Sequence, residues 1–301
     1  MATTHPRTVR PTRRRAASAL GAALVAAALA VAGCAGGGEP ASTAPPAETV
    51  PARAYLPGLD AFPHVPDARG RAPVVVMVPG GGWSSADPSG YAGLATRLAA
   101  GGVVAVPVEI RAAEDGVTYP VPVEDVLCAL AFGAVAARSA GVEPSALVLL
   151  GHSSGAHLSM LAALGTVEPA ASCPHPAVRA DAVAGLAGPY DIAEVPDLAE
   201  PLFGVTPDED PALWEAANPV RQAARRPEVA ALLLHGGRDD IVPTSFSEVM
   251  AAALEDSGHP TELRLFPDAD HQSIYSAEVA AEPVLAWLRG LAPSTSPTTS
   301  G

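Results

Sequence analysis

The chain has 301 residues, of which 49% are hydrophobic and 17% charged, and this supplies enough apolar material for one large buried core. Its formal net charge is −14, and all 18 basic residues are arginine. Nucleic acids and anionic surfaces bind proteins that present basic patches, so neither is expected as a partner of so acidic a chain.

The first 33 residues are ordered like an export signal. An arginine-bearing polar stretch comes first, then an apolar segment over residues 16–32, then small residues that lead to Cys34. The apolar segment is short and weakly hydrophobic for a membrane span, so residues 1–33 are predicted to be a signal peptide that is removed. Its removal takes away five arginines and no acids, which lowers the net charge from −14 to about −19.

Cys34 lies where bacterial lipoproteins carry their anchor. The Val-Ala-Gly-Cys sequence that ends at Cys34 resembles the lipobox, in which the cysteine receives a diacylglyceryl thioether. We therefore predict an extracytoplasmic protein held at the membrane by a lipid on Cys34, or a secreted one if that cysteine is not lipidated. Residues 34–52 are predicted to be a flexible linker and residues 292–301 a disordered tail, because both are rich in small and polar residues.

Residues 53–291 are predicted to form one domain in which strands and helices alternate. Short apolar, β-branched runs indicate strands at residues 74–78, 103–110, 146–150, 182–186, 230–234 and 262–266. Longer alanine-rich stretches indicate helices at residues 124–139, 155–164, 245–257 and 277–291. This order predicts an α/β fold with a mostly parallel, doubly wound sheet, helices on both faces, and a ligand site at the carboxyl ends of the strands.

Residues 189–226 are the least regular part of this domain. The segment contains three pairs that we expect to lie over the functional site, namely Tyr190-Asp191, Leu202-Phe203 and Leu213-Trp214. It is predicted to form a small cap. A surface excursion with a few anchoring aromatic residues is the alternative.

Two further cysteines, Cys128 and Cys173, could pair in an exported protein, because its compartment permits disulfides. Cys128 lies in an apolar helical stretch and Cys173 in a loop after the next predicted helix. Contact between them is therefore reasonable. A disulfide and two free thiols, with Cys128 buried, both remain open.

The strongest chemical signal is Gly151-His152-Ser153-Ser154-Gly155. It lies where a predicted strand ends and a helix begins, and its outer glycines permit the strained turn that exposes the central hydroxyl group. We therefore predict that Ser153 is a nucleophile. A serine that only caps the following helix is the alternative.

A serine hydroxyl group needs a base that a third group orients. His271 follows the last predicted strand and is the predicted base, and Asp239 in the loop after the preceding strand is the predicted acid, chosen by its spacing from His235. The alternatives for the acid are Asp240, Asp268 and Asp270. His235 is expected to shape the acid loop without transferring a proton. The other histidines are predicted to be structural or exposed: His152, His157, His175 and His259.

Three glycines followed by Trp83 come directly after the strand predicted at residues 74–78. The backbone amides of Gly81, Gly82 and Ser154 are predicted to stabilise a developing oxyanion. A phosphate-binding loop is the other use of such a run, but neither G-x-G-x-x-G nor G-x-x-x-x-G-K-[ST] is present.

Together with Gly-Pro-Tyr-Asp at residues 188–191, these motifs resemble the esterase/lipase branch of the α/β-hydrolases. The resemblance covers about residues 52–291 and is greatest to bacterial carboxylesterases related to hormone-sensitive lipase, to feruloyl-esterase-like proteins and to kynurenine formamidases. It implies an α/β-hydrolase fold and hydrolysis of small-molecule carboxylic esters through an acyl-enzyme, without metal or organic cofactor. Pro79 stands where such relatives have the histidine of His-Gly-Gly-Gly-Trp, so a side chain that helps to fix the loop is missing.

Two other functions are compatible with these residues. One is a different acyl hydrolase, such as a formamidase, a peptidase or a polyester hydrolase. The other is a catalytically silent surface lipoprotein that binds a ligand, although the complete set of Ser153, Asp239 and His271 argues against it. No feature of the sequence specifies an oligomeric state.

Overall fold

The computed structural model of the protein describes residues 51–67 and 69–291. The predicted signal peptide, the lipid site at Cys34, nearly all of the predicted linker and the tail at residues 292–301 lie outside the described residues. Within the described part, no helix has both the length and the apolar character that crossing a membrane requires.

Strands and helices alternate along most of this range. The strands are β1 (Arg53–Leu56), β2 (Leu59–Ala61), β3 (Gly70–Val78), β4 (Val104–Pro107), β5 (Val142–His152), β6 (Ala182–Leu186), β7 (Ala230–Gly236) and β8 (Thr261–Phe266). The α-helices are α1 (Ala92–Ala100), α2 (Val121–Ser139), α3 (Ser154–Leu164), α4 (Pro196–Phe203), α5 (Pro211–Ala216), α6 (Pro219–Gln222), α7 (Ser245–Asp256) and α8 (Ala277–Gly290). Every predicted strand and helix is present, and the β1–β2 hairpin, α1 and α4 to α6 come in addition.

In the part of the chain that the structure describes, six strands form one sheet in the order β4-β3-β5-β6-β7-β8. All of their pairings are parallel, which confirms the predicted α/β architecture. After β4 the chain crosses back over β3 to begin β5, so the direction of winding reverses between β3 and β5. Ligands bind such sheets outside the carboxyl ends of the strands at the point of reversal.

Alternating side chains give the sheet a buried core on each face. In β3, Val74, Val76 and Val78 pack into one cluster, whereas Val75 and Met77 pack into the other. Helices α2, α3 and α7 cover the first face, and α1 and α8 cover the second. The prediction of helices on both faces is therefore confirmed. Each fully buried valine contributes about 2 kcal/mol through removal of apolar surface from water, so these strands form a rigid base for the loops that follow them.

The fourth strand is shorter than predicted. The apolar run at residues 103–110 predicts a strand throughout, but β4 ends at Pro107. Val108 instead forms an antiparallel bridge with Ala61 of the hairpin, and the Glu109 amide donates to the carbonyl group of Asp60. The run is apolar because it stays buried after leaving the sheet, and apolar character alone does not distinguish these two environments.

The segment at residues 189–226 is helical, since it contains α4, α5 and α6. Each of these helices has a proline in its first turn, where the missing amide costs no hydrogen bond. The side chain of Asp210 accepts from the amide of Leu213 at the start of α5, and Asn218 accepts from the amide of Val220 at the start of α6.

The aromatic residues of this segment are predicted to lie over the functional site, and this prediction is wrong. Tyr190, Phe203 and Trp214 are buried in the core, and the ring centroids of Phe203 and Trp214 are 4.2 Å apart. Burying these rings removes the largest apolar surfaces of the segment from water, which explains why they anchor it. Pro189 and Leu198 are the residues of the segment that reach the cleft described below.

Cys128 of α2 forms a disulfide with Cys173 in the loop between α3 and β6. The same loop is held at a second point, where the ring of His175 packs against Phe132 and its Nε2–H donates to the carbonyl group of Tyr55. The loop is therefore attached at two points to elements on the first face of the sheet.

Candidate active site

Ser153 occupies a strained turn between β5 and α3, with φ 53° and ψ −126°. The turn brings backbone segments so close together that glycine is required on both sides of it. A Cβ atom on Gly151 would lie 2.2 Å from the carbonyl oxygen of Gly155, and a Cβ atom on Gly155 would lie 2.3 Å from that of Val78. The G-x-S-x-G spacing thus follows from packing at this turn. The strained backbone conformation of Ser153 is the one that presents its hydroxyl group to the cleft.

His271 lies in the loop after β8 and contacts both of its predicted partners. Its Nε2 is 3.0 Å from Ser153 Oγ, and its Nδ1 is 2.7 Å from Asp239 Oδ2. Because a carboxylate only accepts hydrogen bonds, Nδ1 carries the proton of the neutral ring and Nε2 is free to accept from the serine hydroxyl group. This is the tautomer that a general base needs.

Asp239 lies in the loop after β7 with both carboxylate oxygens engaged. Oδ1 accepts from the amides of Ile241 and Val242, at 3.0 and 2.8 Å. Oδ2 faces His271 and also lies 3.3 Å from Nε2 of His235. The side chain is completely buried, so the carboxylate cannot turn away from the histidine without losing these bonds.

Two of the other three candidate acids have partners other than His271. Asp268 pairs with Arg238 on the surface, and Asp270 accepts from the amide and hydroxyl groups of Ser273. Asp240 is exposed. Of the four candidates, Asp239 is the one that the fold brings to His271.

His235 supports the acid loop from beneath, as its position predicted. Its Nε2–H faces the carbonyl oxygen of Val242 at 2.8 Å and Asp239 Oδ2, while its Nδ1 accepts from the hydroxyl group of Ser247 at 2.7 Å. Burial lowers the pKa of His235. The neutral imidazole therefore acts as a spacer that fixes Asp239 between two rings.

His152 lies closer to the chemistry than its assignment as structural or exposed suggested. Its ring packs between those of His271 and Tyr275, with centroid distances of 4.7 and 4.3 Å, and its Nε2–H donates to the backbone carbonyl group of His271 at 2.7 Å. Burial lowers the pKa of His152 to about 3. The signal for this position was its place beside Ser153 in the motif, since a side chain there must lie close to Ser153.

The predicted oxyanion donors belong to the two segments next to Ser153, the glycine loop after β3 and the start of α3. Gly81 and Gly82 follow β3 with φ values of 150° and 60°, and both line the same cleft as Ser153. Ser154 is the first residue of α3, so its amide is one of those that a helix leaves without an acceptor within the helix. Amides in this arrangement can stabilise negative charge on a carbonyl oxygen held next to Ser153.

Hydrogen bonds hold the carboxyl end of the glycine loop that follows Pro79. The amide of Ala113 donates to the carbonyl group of Trp83, and the amide of Glu114 donates to that of Ser84, each at 3.0 Å. The indole Nε1–H of Trp83 donates to Nδ1 of His157 at 3.2 Å. The glycine loop is therefore anchored at its carboxyl end.

The cleft above Ser153 has a volume of about 350 Å³. Its lining includes Leu198 and Ile241, which are 40% and 53% exposed and thus present apolar surface to solvent. Asp87 is a third exposed residue of the lining, and we call these three the cleft rim. Hydrogen bonds from the amide and hydroxyl groups of Ser89 lower the pKa of Asp87. None of these three rim residues is predicted from the sequence. Among the described residues, no three His, Cys, Asp or Glu side chains cluster as metal ligands.

Comparison with known proteins places this geometry in a family. Residues 62–254 match the family model described as BD-FAE. The chain is 29% identical over 228 residues to esterase LipQ and 31% identical over 218 residues to esterase LipC, both from Mycobacterium tuberculosis. These alignments cover 71% and 66% of this chain but 53% of each relative, so the chain spans about half the length of the curated relatives it matches.

Solved structures share the fold at lower identity. An acetyl ester-xyloside bifunctional hydrolase from Caldicellulosiruptor lactoaceticus superposes with a TM-score of 0.67 at 20% identity, over 83% of this chain and 98% of that one. Esterase 2 of Thermogutta terrifontis, phosphoramylated by tabun, superposes with a TM-score of 0.64 at 23% identity, over 81% and 94%. The chain has the α/β-hydrolase fold and belongs to the BD-FAE family, within the esterase/lipase group.

Proposed function

We propose that the protein is a serine hydrolase that cleaves carboxylic esters through an acyl-enzyme. The observation that carries this proposal is the unbroken chain of hydrogen bonds from Ser153 through His271 to Asp239. Its support from the comparisons is that the curated relatives are described as esterases.

In the first step, Ser153 Oγ attacks the ester carbonyl carbon and its proton passes to His271 Nε2. The carbonyl oxygen becomes an anion, which the amides of Gly81, Gly82 and Ser154 stabilise. The intermediate then collapses: the bond between the carbonyl carbon and the alkoxide oxygen breaks, and His271 gives its proton to that oxygen. The alcohol leaves, and the acyl group stays bonded to Ser153 Oγ. A water molecule then attacks the acyl carbon while His271 takes its proton. The bond from that carbon to Ser153 Oγ breaks, His271 returns the proton to Oγ, and the carboxylic acid leaves.

The substrates that suit the cleft are small or medium acyl or aryl esters. A volume of about 350 Å³ lies near the lower end of the range usual for ligand pockets. Leu198 and Ile241 supply apolar contact for the acyl chain or the aryl ring. The structure of the Thermogutta terrifontis Est2 esterase, which has a similar fold, is described with bound butyrate, the anion of a short-chain carboxylic acid.

The proposal is tested with p-nitrophenyl esters from acetate to palmitate. We expect the highest kcat/KM on short chains, and a loss of about 10⁴-fold or more in kcat for Ser153→Ala. The matched control is Ser159→Ala, because Ser159 lies on the same helix and its buried hydroxyl group has no hydrogen-bond partner among the described residues. A folded wild-type protein that hydrolyses no ester and is not labelled by a fluorophosphonate would refute the proposal and favour a ligand-binding role.

We also propose that the protein is exported and carries a lipid on Cys34, with residues 34–52 as a tether for a catalytic domain at residues 53–291. The order of the N-terminal residues supports this, and so does the Cys128–Cys173 disulfide, because structural disulfides are typical of oxidising compartments. Metabolic labelling with palmitate tests it. Cells that make the full chain should incorporate label, and the Cys34→Ser variant should not. Equal labelling of both would disprove the anchor.

A further inference from the structure

His157 connects three parts of the site through one buried ring. It lies four residues after Ser153 in α3 and is completely inaccessible to solvent. Its Nδ1 is 3.2 Å from Trp83 Nε1, at the end of the glycine loop, and its Nε2 is 2.9 Å from the carbonyl oxygen of Ala217, in the segment at residues 189–226. Neither the triad nor the predicted oxyanion donors include this residue.

The partners of His157 determine its protonation. An indole N–H can only donate and a carbonyl oxygen can only accept, so Nδ1 must be the acceptor and Nε2 must carry the proton. A second proton on Nδ1 would face the Trp83 indole N–H and remove that hydrogen bond. Burial lowers the pKa of His157 to about 4, which is consistent with a neutral ring at neutral pH.

Trp83, which donates a hydrogen bond to His157, has a backbone conformation that needs support from its neighbours. Trp83 has φ 57°, a left-handed backbone conformation that is disfavoured for a bulky residue. Its ring meets the His157 ring edge to face, with a centroid distance of 5.2 Å and an interplanar angle of 88°. The backbone amides of Gly81 and Gly82 immediately precede it, so the angle at which they face the nucleophile depends on how Trp83 is held.

The acceptor end is equally well defined. Ala217 precedes Asn218, which caps α6 and whose side-chain amide donates to Asp191 Oδ1 at 2.7 Å. The bond from His157 therefore reaches a part of the segment that is braced internally. The segment contributes Pro189 and Leu198 to the cleft.

We propose that His157 is a positioning residue, which holds the oxyanion loop and the segment at residues 189–226 in register with Ser153 by accepting from Trp83 and donating to Ala217. The proposal rests on the proposed function, because the atoms it positions are the donors of that reaction. Loss of one oxyanion donor costs about 10²- to 10³-fold in kcat, and a loop that is misplaced but still present should cost less.

The kinetic test compares two substitutions on p-nitrophenyl acetate. His157→Phe keeps a ring but removes both hydrogen bonds, and we expect kcat to fall about 10- to 100-fold with KM changed less than about threefold. His157→Gln can accept through its carbonyl oxygen and donate through its amide, so it should recover kcat to within about fivefold of wild type. The control is His175→Gln, which removes a histidine that also donates to a backbone carbonyl group, away from the cleft, and should keep wild-type kcat.

A measurement on the wild-type protein keeps the proposal testable if His157→Phe does not fold. The ¹⁵N shifts of the His157 ring should show an unprotonated Nδ1 and a protonated Nε2 at pH 7. The indole signal of Trp83, one of three tryptophans and assigned by its loss in Trp83→Phe, should be protected from solvent exchange in wild type and in His157→Gln. The opposite tautomer, or an unprotected indole, would overturn the proposal.

The outcomes separate this proposal from the proposed function. A wild-type protein without ester hydrolysis refutes the proposed function, and with it the catalytic purpose of His157. An active wild type beside a folded His157→Phe variant with unchanged kcat refutes the positioning role alone. A His157→Phe variant that loses thermal stability but not kcat shows that the residue only packs the core, and this also overturns the proposal.

Discussion

Two buried histidines should make the stability of this protein depend on pH. His152 and His157 are both inaccessible or nearly so, and burial lowers their pKa values from 6.5 to about 3 and about 4. The unfolded chain therefore binds protons at a higher pH than the folded chain does. The stability that these neutral rings contribute is fully present above pH 6.5 and is lost as the pH falls toward the folded-state pKa values.

The size of the effect follows from those values. Between pH 7 and pH 5.5, an unfolded histidine becomes mostly protonated while each buried one stays neutral, which costs about 1.2 kcal/mol per residue and about 2.5 kcal/mol for the pair. Burial also lowers the pKa values of His64 and His235, which adds to the loss in the same direction. Carboxylates titrate mainly below this window.

Urea unfolding followed by circular dichroism at pH 7.0 and pH 5.5 measures this difference. We expect wild type to lose at least about 2.5 kcal/mol, and His157→Gln to lose about 1.2 kcal/mol less because one titrating ring is gone. Ser159→Ala removes a group that does not titrate from the same helix and should keep the full loss. Equal stability at the two pH values, or an unchanged loss in His157→Gln, would refute the assignment of neutral buried rings.

Three further predictions concern the triad, the cleft and the disulfide. Asp239→Asn should lower kcat on p-nitrophenyl acetate by about 10⁴-fold by favouring the wrong tautomer of the base, and a loss below tenfold would remove it from the triad. Ile241→Ser should lower kcat/KM for butyrate relative to acetate by about fivefold, since about 1 kcal/mol of apolar contact is lost; an unchanged ratio would show that acyl chains bind elsewhere. Replacing Cys128 and Cys173 with serine should lower the free energy of unfolding by about 2–4 kcal/mol, measured in urea, and an undiminished value would contradict a stabilising bond.

Much of the site was predictable because its parts follow local rules. A glycine-flanked serine after a buried strand identifies the turn at Ser153, and the loops after β7 and β8 supply Asp239 and His271 because parallel strands end at one edge. Among the four candidate aspartates, Asp239 is the one that contacts His271, as its spacing from the end of β7 indicates, because that spacing sets which side chain points inward.

The walls of the cleft were not predictable in this way. Leu198 lies in α4 and Ile241 in the loop after β7, and an apolar residue in such places is normally assigned to the core. Only the packed fold shows that both face solvent in the cleft that contains Ser153. The opposite error affected Phe203 and Trp214, which were expected at the site and are buried. A hydrophobic side chain in an irregular segment carries no periodicity from which its direction can be read.

Helix α3 is buried along its whole length, from Ser154 to Leu164. A substitution there must be accommodated by neighbours on several sides at once, whereas the cleft rim at Asp87, Leu198 and Ile241 borders solvent. We therefore expect sequence change among relatives to be rare in α3, directly after Ser153, and frequent at the cleft rim. A library for new ester preferences is best directed at the rim, and relatives with different substrates should differ there first.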